Sequence, residues 1–175
     1  MLGRLFGLVL ALVGLAALVA VGGYFALKRA DIPYETLATH YESGASRYVD
    51  LPGGVRMHYR DQGAGPTLLL IHGFSASLHT WEPWVEQLGG DYRIVTLDLP
   101  GHGLTSAPAG YQPSMQGYAA IVEEFAQALD IARFAIGGNS MGGHVAWEYA
   151  LAHPERVDAL ILVDSWTATE DHFPT

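Results

Sequence analysis

Ile136-Gly137-Gly138-Asn139-Ser140-Met141-Gly142-Gly143 is the stretch that sets the reading of this chain. It holds Gly138-x-Ser140-x-Gly142 between a strand-like run, Arg133-Phe134-Ala135-Ile136, and a helix-like run from His144 to Ala152. A strand, a sharp turn carrying serine and a helix together lift a hydroxyl to the tip of a strained turn. Side chains two positions before and after that serine would collide where strand and helix converge, so glycine is expected at Gly138 and Gly142. A bare GxSxG also arises as an ordinary glycine-rich turn. The flanking patterns set this one apart.

Outward from this turn the chain alternates. Thr67-Leu68-Leu69-Leu70-Ile71 is a continuous apolar run suited to a strand covered on both faces, and Val157 to Val163, with the unbroken run Ala159 to Val163, reads as another buried strand. Tyr92 to Leu97 reads as a further strand, and helices are expected around Trp81 to Leu88 and from Met115 to about Leu129, the latter capped by Ser114. Arg47 to Leu51 and Val55 to Arg60 alternate apolar with polar around Pro52-Gly53-Gly54, which reads as an antiparallel hairpin; Asp61 to Pro66 reads as a turn-rich loop. Strands alternating with helices predict an α/β fold with a mostly parallel sheet and helices on both faces.

The 175 residues are half apolar, enough for one domain with a core, and the net charge of −9 leaves no basic stripe for nucleic acid. With no cysteine there are no disulfides or thiolate nucleophiles, and no HExxH or close His/Asp cluster suggests a metal; no cofactor is expected.

Leu5 to Leu27 is an uncharged run of 23 residues. It exceeds the roughly 7–15 apolar residues of a cleaved signal peptide, and it lacks the polar face of a helix packed on a soluble core. A retained signal anchor crossing the membrane through residues 5–27 fits it best. The expected organisation is an anchor over 1–30, a juxtamembrane linker over 31–46 and a catalytic domain over 47–175. Arg4 and the free amino terminus face Lys28 and Arg29 across the span, so flanking charge is nearly balanced. An extracytoplasmic domain is the expected topology, because an N-terminal anchor commonly leaves the following domain translocated.

His72-Gly73-Phe74 after one strand, Asp98-Leu99-Pro100-Gly101-His102-Gly103 after the next, and Gly138-Asn139-Ser140-Met141-Gly142-Gly143 after a third resemble the α/β-hydrolase superfamily in order and spacing. The resemblance covers about residues 47 to 166. It implies that Ser140 is a nucleophile and that the backbone N–H groups of Phe74 and Met141 form an oxyanion hole, where one preorganised donor is worth about 10²–10³ in rate. His72, Gly73, Gly138, Gly142 and Gly143 would support the elbow and its loops. His102 likewise suits a loop-holding role, His144 cannot easily point back at Ser140, and His40, His58, His79 and His153 show no partner pattern.

In this family the triad runs Ser, acid, His in chain order. After Ser140 only Asp164, at the end of the last strand, and His172 fall in that order, and His172 lies where the family begins its lid. The chain therefore reads as the N-terminal half to two-thirds of the fold, a fragment of a longer hydrolase that would be inactive alone. The expected activity of the whole is cleavage of a small or lipid ester through an acyl-enzyme. Two alternatives are hydrolysis of a carbon–carbon bond in aromatic ring-fission products and a non-catalytic scaffold on the same fold.

Overall fold

A computed structural model describes residues 2–29 and 32–166. Residues through Thr36 and residues from Leu37 onward form separate units. In the first, α1 (Leu2–Leu27) runs unbroken for 26 residues, about 39 Å at 1.5 Å per residue, against a hydrocarbon core of about 30 Å. Val9–Leu27 has a mean hydropathy of 2.3 and none of it is buried. By length and composition α1 can cross a membrane; a signal sequence meets the same description.

The stretch expected to be a linker contains a helix, α2 (Tyr34–Tyr41). Its last turn is held from the far side of the chain, because Arg60 Nη2 donates to the Tyr41 carbonyl at 3.4 Å. That long-range bond left no local trace in the sequence.

From there β1 (Ser46–Asp50) and β2 (Arg56–Gly63) form the expected hairpin around a short 3₁₀ turn at Pro52–Gly54. β2 continues to Gly63, through residues read from their turn composition as loop, because Asp61, Gln62 and Gly63 pair with Val95, Ile94 and Arg93. There follow β3 (Thr67–Ile71), α3 (Glu82–Leu88), β4 (Arg93–Leu97), α4 (Met115–Ala128), β5 (Phe134–Asn139), α5 (Met141–Ala152) and β6 (Val157–Val163). Ser114 caps α4 as expected, its Oγ accepting the Gly117 N–H at 3.0 Å.

The sheet order is β1-β2-β4-β3-β5-β6, antiparallel through β2–β4 and parallel from β4 to β6. Alternation along the strands sends side chains to both faces. Leu69, Ile71, Val95, Leu97 and Ile136 pack with Val122 and Phe125 of α4 and Val145 and Tyr149 of α5. Leu68, Leu70 and Ile94 meet Trp81, with Trp84, Val85 and Leu88 of α3 on the opposite face. Helices thus cover both faces, and the strand ends converge on the loops after β3, β4 and β5. Among the described residues β6 is an edge, paired only with β5, and its Leu162 is 39% exposed.

Candidate active site

β5 ends at Asn139 and α5 begins at Met141, leaving one residue to turn the chain. That residue is Ser140, at φ 50° and ψ −116°. A non-glycine residue held there costs on the order of 1–3 kcal/mol and persists only where its surroundings impose it. Four hydrogen bonds fix its backbone. Its N–H donates to Val163 O at 3.0 Å, and its carbonyl accepts from Gly143 N at 3.1 Å, His144 N at 3.2 Å and the Ser165 hydroxyl at 3.0 Å. No described side chain bonds the Ser140 hydroxyl, so it remains available for chemistry.

The glycines are demanded by space. A Cβ on Gly138 would run into the Gly142 carbonyl, one on Gly142 into the carbonyls of Ile71 and His72, and one on Gly143 into Ser165. The loop after β3 leans on the same turn. A Cβ on Gly73 would sit 2.9 Å from Asn139 Oδ1 and 3.5 Å from Ser140 Cβ. This brings Gly73, Gly138, Ser140, Gly142 and Gly143 together, with Met141 at the first position of α5 and Phe74 next to Gly73. Neither the Phe74 nor the Met141 N–H donates to an acceptor among the described residues.

His72 holds two loops. Leu99 N–H donates to its Nε2 at 3.0 Å, which places the proton on Nδ1, where it donates to Gly73 O at 2.7 Å. Burial pushes its pKa down, against the Gly73 bond and the Asp98 charge that favour protonation. With both ring nitrogens engaged, His72 braces the loop that carries Phe74. Asp164 follows β6 at φ 47°, exposed, and no described histidine bonds it. His144 Nε2 meets Glu148 Oε1 at 3.2 Å, and no hydrogen bond among the described residues joins its ring to the serine hydroxyl. His172 lies outside the described residues.

One buried pair that holds the loops around the site escaped sequence reading. His58, which showed no partner pattern, is fully buried on β2 and donates from Nδ1 to Asp98 Oδ2 at 2.8 Å. Asp98 Oδ2 also accepts Leu104 N–H at 2.9 Å, and its Oδ1 accepts Leu78 N–H at 2.7 Å. One carboxylate thereby pins the loop after β3 to the loop after β4. Burial alone would raise the Asp98 pKa, but the bonds from His58, Leu104 and Leu78 outweigh it and hold the carboxyl below its ordinary range. The signal available in the sequence was an aspartate directly after a buried strand. Its partner, 40 residues away, could not be paired with it from spacing.

The alpha/beta hydrolase fold family matches residues 66–175. The chain is 35% identical over 143 residues to 2-hydroxy-6-oxononadienedioate/2-hydroxy-6-oxononatrienedioate hydrolase of Paraburkholderia phymatum, covering 77% of this chain and 50% of that protein. It is 34% identical over 128 residues to a fluoroacetate dehalogenase of a Burkholderia species, covering 71% of this chain and 42% of that one. Among solved structures, a bacterial membrane phospholipase A superposes with a TM-score of 0.69 at 35% identity, covering 97% of this chain and 54% of its own. The chain thus spans about half the length of the relatives it matches.

Proposed function

The chain belongs to the α/β-hydrolase family, and from that premise we propose that Ser140 is the nucleophile of a membrane-anchored serine hydrolase acting on an ester-type bond. The observation that carries the reading is the Ser140 backbone itself, forced to φ 50° between β5 and α5 with its hydroxyl unbonded among the described residues. In this reading Ser140 Oγ attacks the acyl carbon, and its proton passes through a general base to the departing alcohol. Water then cleaves the acyl-enzyme, releasing the acid and regenerating the serine. The negative charge of each tetrahedral adduct falls to the N–H groups of Phe74 and Met141. Asp164 is the described carboxylate in the right order to serve as the acid.

A lipid or other apolar ester suits an enzyme whose α1 is long and apolar enough to be a single-pass anchor, with the hydrolase unit on the extracytoplasmic side. This assigns residues 1–30 to the anchor, 31–46 to a juxtamembrane segment and the rest to the hydrolase domain. Likeness to the membrane phospholipase A over 97% of this chain supports the arrangement. A second reading, hydrolysis of a carbon–carbon bond beside a carbonyl, is favoured by the 35% identity to the Paraburkholderia hydrolase.

Treating the full-length protein with a fluorophosphonate probe tests the proposal. Covalent labelling lost in Ser140→Ala supports it, and absence of labelling points to a scaffold that kept the fold without the chemistry. Comparing turnover of short esters, monoacylglycerols and vinylogous diketones then separates ester from carbon–carbon cleavage.

A further inference from the structure

Between α2 and the loops after β3 and β4 lies a cavity of about 320 Å³ that the chemistry above does not use. Its walls come from three elements: Leu37 and Tyr41 of α2, Ser75 and Ser77 of the loop after β3, and Asp98 and Leu104 of the loop after β4. The volume falls at the low end of small-molecule sites. It is also close to the reacting centre. Ala76 N–H donates back to Gly73 O at 3.3 Å, so Ser75 and Ala76 form one tight turn on the glycine that abuts Ser140. Ser75 directly follows Phe74 and is itself held at φ 54°. Backbone strain of this kind clusters at ligand clamps and active sites.

The lining limits what can enter. Asp98 contributes a buried carboxylate whose oxygens already accept from His58, Leu78 and Leu104, so it adds negative charge without an open bonding site and disfavours an anion. The nearby cation is spent elsewhere: Arg60 Nη1 pairs with Glu82 at 2.7 Å, and its Nη2 donates to His79 Nε2 at 3.0 Å. With its Nε2 accepting from Arg60, His79 turns Nδ1 to Ser77 Oγ at 3.1 Å as the donor. Ser77 keeps its own hydroxyl proton to give, and the Ser75 hydroxyl has no partner among the described residues. Leu37, Leu104 and the Tyr41 ring supply apolar wall around these two hydroxyls. An uncharged group carrying hydroxyls on a short carbon frame satisfies all of these conditions and offers partners to both serine hydroxyls, which an acyl chain does not.

We infer that this cavity binds the alcohol half of the substrate ester, and that the alcohol is an uncharged, hydroxyl-bearing one of glycerol type. The inference rests on the ester-hydrolase reading and gives its substrate a polarity. Ser75 and Ser77 hydrogen-bond the free hydroxyls of the alcohol, and Leu37 and Leu104 close over its carbon frame.

The test uses the full-length protein with glyceryl monobutyrate and ethyl butyrate, which share an acyl group and differ in the alcohol. Ser77→Ala removes one hydroxyl, and Leu37→Trp fills the cavity from α2, outside the loops that hold the elbow. Each variant is expected to lower kcat/KM for the glyceryl ester by about tenfold, with the ethyl ester changed by less than about twofold, the size of one or two neutral hydrogen bonds. Equal losses on both esters, or no loss on either, overturn the inference while fluorophosphonate labelling of Ser140 leaves the hydrolase reading intact. If neither ester turns over and Ser140 does not label, the hydrolase reading fails and takes the inference with it.

Discussion

His58 and Asp98, 40 residues apart in the chain, meet through a 2.8 Å hydrogen bond in which both side chains are shielded from solvent. Around them the backbone closes a second circuit: Thr105 Oγ1 accepts from His58 N at 2.9 Å and donates to Asp98 O at 2.7 Å. His58 Nε2 reaches Ser46 Oγ at 2.9 Å, tying in the edge strand β1. A buried pair of this kind is weak evidence for net stabilisation, yet removing one partner strands the other.

Replacing Asp98 with Asn is therefore expected to destabilise the fold by about 3–5 kcal/mol, since an amide N–H2 must face at least one of three donors. Denaturant unfolding of the full-length protein measures this. A loss below about 1 kcal/mol would show that the loops after β3 and β4 are held by other means.

The same carboxylate predicts an acid limb. Its folded pKa lies below the ordinary value, so its contribution is complete above the unfolded pKa of about 4 and is lost as pH falls through that value toward the folded one. Stability of the wild type should fall with acid over that window, and the slope should be shallower in Asp98→Asn. Parallel slopes in the two proteins would remove Asp98 as a source of acid sensitivity.

Ser140 carries backbone strain that the proposed nucleophile role calls for and stability does not. Ser140→Gly relieves the positive φ, whereas Ser140→Ala keeps a Cβ there, so the glycine variant should be the more stable by about 1 kcal/mol. Both should lose fluorophosphonate labelling. Equal melting temperatures for the two would mean that the turn is relaxed.

Gly142→Ala tests the close approach of helix and loop. The added methyl meets the carbonyls of Ile71 and His72, a backbone collision expected to cost at least about 1–3 kcal/mol. Labelling of Ser140 should fall with it, because α5 can yield only by moving the turn. Normal stability and labelling would contradict the packing described.

For α1, paired substitutions Leu15→Arg and Leu18→Arg place two charges mid-span, each adding about 2.5–3.5 kcal/mol to insertion. The full-length wild type should resist carbonate extraction from membranes and the double variant should not. Extraction of the wild type itself would reject the anchor.

Local spacing was enough for the elbow. Ser140 with Gly138, Gly142 and Gly143, the strand before it and the helix after it all lie within about twenty residues, and steric need at fixed offsets leaves a mark on sequence. The strands β3, β4 and β6 were equally readable: Leu68 to Ile71 and Ile94 to Leu97 are buried within the sheet, and Ala159 to Val163 keeps an unbroken apolar run although β6 is an edge among the described residues. The same chain could not disclose what its partners decide. α2 stood in a stretch of mixed composition, β2 ran three residues past its expected end, and His58 looked idle. Each of these is settled by a contact made across the fold, with Arg60, with β4 and with Asp98 respectively. A hydrogen bond between residues 40 apart imposes no periodicity on the residues between them, so only the folded sheet, by setting β2 beside β4, could bring that histidine and that aspartate together.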